Sequence, residues 1–257
     1  MTLYRFAIVG AGWRTEFFLR IAAALPERFR LEGLVVRNPD KGARLTAQWG
    51  HHTYRCVDDL LEHTKPEFLI SSVSYGANYE VNRQLLDTGL PVLSETPPAA
   101  TLDQMLELWE AVARQRGRFQ VAEQFTRQPH HAARLAAIRQ GRIGPVHKAY
   151  VSVCHGYHGT SLIRHFLGVG FDEARIVGMS FTDRVLDPGG REGPPRDPKV
   201  QEHSQQIALL DFGGGRQSVF DFVGVQYFSP IRNQRMAIRG EWGTPKDARA
   251  STGKGTP

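Results

Sequence analysis

Two glycines, Gly10 and Gly12, separate a short apolar run from a helix-spaced one, and this junction most restricts the folds open to the chain. Tyr4–Val9 (YRFAIV) reads as a strand, and EFFLRIAAAL repeats its apolar residues at helical spacing. Gly10 would permit a tight turn, and Gly12 would let the backbone approach a pyrophosphate at the helix N-terminus. A Gly-x-Gly pair also fits an ordinary turn; its place after the first strand is what favours a nucleotide. Thr15 stands where the dinucleotide fingerprint has its third glycine, and its side chain makes close helix–strand packing harder. Trp13 and Arg14 complete the loop.

The alternation continues. Leu31–Val36, Glu67–Ser72 and Pro91–Ser94 read as strands. Gly42–Trp49 and Asn78–Thr88 read as helices, the second stopped by Gly89. Leu102, Met105, Leu106, Trp109 and Val112 stripe a further helix and predict its core-facing side, with Thr101 and Gln104 as a capping box. Strands alternating with helices predict an α/β Rossmann domain, a doubly wound parallel sheet, over residues 1–125. The texture then changes. His131–Gln140 and Ser161–Leu167 read as helices and Pro145–Cys154 as a strand. Ala174–Val185, Ser204–Phe212, Gln217–Val223 and Gln234–Arg239 follow as β-like runs, predicting an α+β domain with a mostly antiparallel sheet over 126–243. Asp187–Lys199, rich in Gly, Pro and charge, predicts a flexible loop or lid, and 244–257 a disordered tail.

Composition excludes other classes. The two cysteines, Cys56 and Cys154, form no CxxC pair, so neither a disulfide scaffold nor a cysteine-rich zinc module is expected. No apolar run is long enough to span a bilayer and no secretory signal is visible, which predicts a cytoplasmic protein without membrane partners. The formal charge of +6 favours anionic partners, but the basic residues are scattered. A phosphate-bearing small molecule fits better than nucleic acid. No metal site is expected, since Cys154-His155-Gly156-Tyr157-His158 has no ligand spacing. His51-His52 and His130-His131 read as surface pairs.

The ribose of a dinucleotide would be met at the carboxyl end of the second strand. Glu32 lies too early in that strand for this contact. Val36, Arg37 and Asn38 stand at its end, so an arginine and no acid meets the ribose. NADP is therefore preferred over NAD, with Arg14 and Lys41 adding charge; Arg37 as a solvated loop residue is the alternative.

Several segments then fall in a familiar order. Val92-Leu93-Ser94-Glu95-Thr96-Pro97 resembles the V-L-x-E-K-P signature of the Gfo/Idh/MocA family (glucose–fructose oxidoreductase, inositol dehydrogenase, rhizopine catabolism). Val121–Pro129 (VAEQFTRQP), Leu135–Val146 (LAAIRQGRIGPV) and Met236–Gly243 (MAIRGEWG) are similar to later segments of that family. His158, with Gly168 ten residues on, is similar to its D-x-x-x-H-x-x-D…G helix. The resemblance spans residues 4–243. It implies an NAD(P)-dependent oxidoreductase acting on a small sugar, polyol or related carbonyl or alcohol, bound in a cleft between two domains, and a homo-oligomer.

The departures fall on the chemistry. Thr96 replaces the family's lysine, Cys154 and Ser161 its aspartates, and Asn78 a histidine; His158 alone is kept. His158 is thus the candidate general acid/base. Thr96 can hydrogen-bond substrate or nicotinamide. Cys154 is either an assisting thiol or a buried small hydrophobe. Tyr157 and Tyr75 are alternative donors. Gly10, Gly12 and Thr15 would hold the pyrophosphate, Arg37 and Asn38 the ribose, and Ser72, Ser74, Asn78, Glu95 and Thr96 the nicotinamide side. The alternative is a nucleotide-binding protein that lost the catalytic Lys and Asp. The family's C-terminal domain is larger, so a compact variant, a sheet closed by a partner subunit and a truncated product all remain open.

Overall fold

The computed structural model describes residues 2–229, 232 and 234–244; the tail expected from 244 onward otherwise lies outside the described residues. The chain divides into two units, Met1–Glu123 and Gln124–Pro257. No described helix is long and apolar enough to cross a membrane.

In the N-terminal unit the order is β1 (Tyr4–Val9), α1 (Trp13–Ala24), β2 (Phe29–Val35), α2 (Pro39–Trp49), β3 (Thr53–Tyr54), α3 (Val57–His63), β4 (Phe68–Ser71), α4 (Asn78–Asp87), β5 (Val92–Ser94), α5 (Leu102–Gln115) and β6 (Phe119–Val121). The six strands form one parallel sheet in the order β3-β2-β1-β4-β5-β6, a Rossmann arrangement. The order changes direction between β1 and β4, which places the β1–α1 loop at the switch point. β1 is buried from Phe6 to Val9, as a strand covered on both faces must be. β3, α3 and β6 are too short for periodicity to announce.

α5 corrects one expectation. Leu108 and Ala111 are buried, with Met105 and Val112 packed beside them, whereas Leu102, Leu106 and Trp109 are exposed (72%, 51% and 71%). The apolar stripe is wider than the buried one, and the face that packs is rotated by about a quarter turn. Thr101 does cap the helix, accepting from the Gln104 amide at 3.2 Å, but Gln104 accepts from Ala100 rather than closing the box on Thr101.

The C-terminal unit runs α6 (Pro129–Arg139), β7 (Val146–Ser152), α7 (Gly156–Leu167), β8 (Arg175–Leu186), β9 (Val200–Asp211), β10 (Gln217–Val223) and β11 (Arg235–Gly240). Its sheet has the order β11-β7-β10-β9-β8, antiparallel except for the β10–β7 pair. α7 lies on this sheet over a core of Val151, Leu162, Phe166 and Phe220. It begins at Gly156 rather than Ser161 because Gly159 brings the helix onto β10, where a Cβ would stand 2.5 Å from the Phe220 ring. The segment read as a lid is closed on itself: the Asp187 amide donates to the Lys199 carbonyl, and the Asp187 carboxylate accepts from Gly189 and Gln201.

His131 corrects the surface reading of its pair. It is 1% exposed, between Phe125 and Phe166, with Nε2 3.0 Å from Nε2 of His130. Burial, followed by the neighbouring His130 and Arg134, lowers its pKa to about 4. A folded-state pKa below the unfolded value means stability that is full above pH ~6.5 and lost as pH falls toward about 4, by up to about 1.4 kcal/mol per pH unit. Denaturant unfolding at pH 7 and pH 5 should show this loss in the C-terminal unit, and His131→Phe should reduce it. An unchanged pH dependence in that variant would exclude His131 as the source.

Candidate functional site

The nucleotide half is built on the first turn. Gly10 has φ +125°, and a Cβ there would lie 2.0 Å from the Ser72 carbonyl oxygen. Its amide donates to Val35 at 3.0 Å, while the Ser72 amide donates to Val9 at 2.8 Å, so the loop is tied to β2 and β4. Gly12 is the N-cap of α1 and offers no side chain to the first-turn amides; a Cβ there would meet only the Ser72 oxygen, at 3.8 Å. This exposed helix start, reached over bare backbone, fits a pyrophosphate. Thr15 is fully buried and its hydroxyl donates to Ser72 Oγ at 3.1 Å. It fixes the loop from behind, and the packing cost expected at the third-glycine position is absorbed by that bond. Trp13 is half exposed, with the Arg14 guanidinium 4.5 Å from its ring centroid. Arg14 also pairs with Glu95, Nε to Oε1 3.2 Å, which directs it toward β5 rather than the ribose end.

At that ribose end Arg37 and Asn38 are both exposed after β2. Asn38 Oδ1 accepts from the Lys41 amide at 2.9 Å, so its side chain is the N-cap of α2. Arg55, which sequence reading missed, donates to the Val36 carbonyl at 2.8 Å. Only the β2–β3 register brings it there, Val35 opposite Tyr54. Glu32 pairs with Arg30 at 3.2 Å within β2, away from the strand's carboxyl end.

A buried polar network holds the segment that carries Thr96. Ser71 Oγ donates to Asn78 Oδ1 at 2.7 Å, and Asn78 Nδ2 donates to the carbonyls of Glu95 (2.9 Å) and Pro97 (2.7 Å). Asn82, one turn on, donates to Ser94 Oγ at 2.8 Å and the Pro98 carbonyl at 2.9 Å. Asn78 and Asn82 are 2% and 0% exposed. The expected cofactor contact at Asn78 is therefore corrected: its amide is spent on β4 and on the loop after β5. Ser74 is exposed at the start of a 3-10 turn, and Tyr75 donates to the Ala100 carbonyl at 3.1 Å.

The acid/base half lies at the start of α7. His158 is 5% exposed, its ring centroid 4.5 Å from Phe125, 4.4 Å from Tyr157 and 4.9 Å from His155. Cys154 is fully buried in the apolar core, which decides for the small-hydrophobe alternative and removes it from the catalytic candidates. His155, weighed from sequence only as a metal ligand, and Tyr227, absent from the sequence reading, join this cluster: Tyr227 Oη lies 2.6 Å from His155 Nδ1 and accepts from the His155 backbone amide at 3.0 Å. They are 72 positions apart, beyond the reach of local spacing. Among the described residues no group of three or more His, Cys, Asp or Glu is placed to hold a metal.

Comparison with known proteins bears on both units. Residues 4–123 match the family described as "Oxidoreductase family, NAD-binding Rossmann fold". No curated protein matches the sequence. Among solved structures, similar folds include GenD2 from gentamicin A biosynthesis in complex with NAD (17% identity, TM-score 0.72, 95% of this chain and 72% of that one). The WlbA dehydrogenase from Bordetella pertussis, in complex with NADH and UDP-GlcNAcA, is 19% identical (TM-score 0.71, 95% and 76%). The apo scyllo-inositol dehydrogenase from Lactobacillus casei is 15% identical (TM-score 0.72, 97% and 76%).

Proposed function

We propose that this chain is an NAD(P)-dependent oxidoreductase of a small sugar, polyol or related carbonyl compound, a reading supported by the match of residues 4–123 to the oxidoreductase family with an NAD-binding Rossmann fold. The observation that carries the reading is the β1–α1 loop, where Gly10 is forced by the Ser72 carbonyl and Gly12 leaves the start of α1 open. Gly10 and Gly12 hold the pyrophosphate with their backbone. Arg37, Lys41 and Arg55 gather positive charge after β2, where Val36-Arg37-Asn38 includes no carboxylate, which supports NADP over NAD. Trp13, Glu95 and Thr96 flank the nicotinamide side, with Ser72 and Ser74 on the loop after β4. The nicotinamide, when bound, supplies or takes the hydride. His158 and its neighbours at the start of α7 handle the substrate oxygen and its proton.

Val177 and Met179 of β8 and Leu209 of β9, which pairs with Val177, share one face of the sheet and are each more than half exposed, which supports a homo-oligomer. The second reading, a nucleotide-binding protein without turnover, is favoured by Thr96 in place of lysine and by the burial of Cys154 where the family has aspartate.

Titration with NADPH and NADH, followed through Trp13 fluorescence with calorimetry as the check, tests the reading. Binding of both is expected, with NADPH tighter. If neither nucleotide binds the folded protein, the oxidoreductase assignment is overturned, and tighter NADH would overturn the role of Arg37.

A further inference from the structure

Arg55 reaches the ribose end of the Rossmann sheet from β3, a strand outside the motif that ends β2. β3 pairs with β2 through Leu34 with Thr53 and Val35 with Tyr54. A further bond, from the Val36 amide to the Tyr54 carbonyl at 2.9 Å, carries the pairing to the end of β2. Side chains alternate along a strand, so buried Tyr54 turns to one face, and Thr53 and Arg55 turn to the other, toward α2. There Arg55 Nη1 donates to the Val36 carbonyl at 2.8 Å. A Cβ on Gly42, in the first turn of α2, would stand 3.3 Å from the same Nη1 and 3.0 Å from Thr53 Oγ1. Gly42 is buried, and its missing side chain leaves the room in which the guanidinium is seated.

The anchor uses one N–H of a planar group that carries several. Among the described residues Arg55 makes no other hydrogen bond and no ion pair, and it is exposed, so the rest of its fork is uncommitted. Arg37 and Lys41 are exposed beside the same strand end, while the Asn38 side chain is taken up in capping α2. Asp40 is the sole carboxylate from Val36 to Lys41, and Asp59, after Arg55, pairs with His63. Resting on the nicotinamide-nucleotide reading of this unit, we infer that Arg55 is the residue that selects NADP, by holding the 2′-phosphate that NAD lacks. A guanidinium meets a phosphate through two parallel N–H···O bonds, which demands a fixed orientation as well as charge. Arg55 is already held by the carbonyl of Val36, the residue at which a ribose is met, and so gives up less freedom on binding. Arg37 has no such anchor: it contributes charge, and Arg55 contributes geometry.

Calorimetric titration of the full chain with NADPH, NADH, 2′,5′-ADP and 5′-AMP tests this without turnover, since the members of each pair differ only in the 2′-phosphate. Arg55→Gln should weaken NADPH and 2′,5′-ADP about 10- to 100-fold and leave NADH and 5′-AMP within about twofold. Arg37→Gln should weaken the 2′-phosphorylated ligands by less than about fivefold, as expected of an unanchored surface charge. Arg55→Lys keeps the stem and the charge without the fork, and should recover only part of the loss. Gly42→Ala displaces the guanidinium without removing it and should shift selectivity in the same direction. Tighter NADH than NADPH in the wild type, selectivity unchanged in Arg55→Gln, or a larger loss of selectivity in Arg37→Gln overturns the proposal. Urea unfolding accompanies each titration; if Arg55→Gln does not fold, Arg55→Lys decides, and wild-type selectivity there overturns it equally. Folded wild-type protein that binds none of the four ligands fails the nucleotide reading itself. Binding of both nucleotides with a selectivity that Arg55 does not move fails this inference alone.

Discussion

Gly10→Ala is expected to abolish nucleotide binding and to destabilise the N-terminal unit, whereas Gly12→Ala should impair binding alone. The difference lies in what each new methyl group meets. At Gly10 it would stand 2.0 Å from the Ser72 carbonyl oxygen and 2.5 Å from its carbon, both backbone atoms that no side-chain rotation can move. The φ of +125° is also a conformation that a Cβ disfavours. Backbone strain of about 1–3 kcal/mol and overpacking of about 1–3 kcal/mol act together, for a cost of about 2–6 kcal/mol. Relief requires β1 and β4 to separate at their carboxyl ends, which breaks the Ser72–Val9 bond and moves the start of α1. At Gly12 φ is −80° and the nearest neighbour of a Cβ, the Ser72 carbonyl oxygen, would be 3.8 Å away, so the fold tolerates alanine. The new methyl would instead crowd the approach to the α1 amides. Urea unfolding and NADPH titration of both variants give the comparison. Equal stability of Gly10→Ala and wild type would refute the assigned role of the glycine.

Local signals in the sequence were enough for the nucleotide turn but not for the parts of the site that depend on register. Strand, Gly-x-Gly and helix are contiguous, so β1 and the loop emerge from a dozen residues. β10 has the bounds its pattern predicts, Gln217–Val223, because its buried residues alternate with partly exposed ones. α5 was misread on its packing side because Leu102, Leu106 and Trp109 repeat at the same helical spacing as the residues that do pack. The first turn of α7 escaped because Gly156 and Gly159 have low helix propensity, and only Phe220, far along the chain, explains the second of them. Arg55 reaches Val36 through strand pairing, and Tyr227 reaches His155 through the β7–β10 neighbours; neither relation has a local signature. The asparagine network did leave a trace. Asn78 and Asn82 are spaced i, i+4 on a short helix, and Ser71 and Ser94 end β4 and β5. Two carboxamides on one helical face beside two strand-end hydroxyls mark a buried polar cluster.

That network supports the second large effect. Asn78→Asp keeps the shape of the side chain and replaces its donor group with an acceptor. The oxygen that still accepts from Ser71 is unaffected, but the other would face the carbonyls of Glu95 and Pro97, which the wild-type Nδ2 approaches at 2.9 and 2.7 Å. The Glu95 carbonyl keeps the Ser94 hydroxyl as a donor at 2.9 Å, but the Pro97 carbonyl loses Asn78, at a cost of about 1–3 kcal/mol. An ionised carboxylate against them costs more, so in the folded state the introduced carboxyl keeps its proton and donates it to one carbonyl. Its pKa is then raised above the unfolded value of about 3.9. The stability this proton retains is complete below pH ~4 and is lost as pH rises toward the folded-state pKa, by about 1.4 kcal/mol per pH unit. Asn78→Leu removes the donor to the Pro97 carbonyl, and the acceptor of the Ser71 hydroxyl as well, but has nothing to titrate. It should therefore be destabilised by a pH-independent amount, relative to wild type. Unfolding measured from pH 4.5 to 7.5 should show Asn78→Asp falling away from wild type as pH increases, with Asn78→Leu parallel to it. Loss of the bonds to Glu95 and Pro97 also frees the segment carrying Thr96, so at neutral pH a weaker nucleotide affinity should accompany the stability loss. A pH-independent Asn78→Asp would mean that the carboxyl ionises in the folded protein and that the network does not enclose this position.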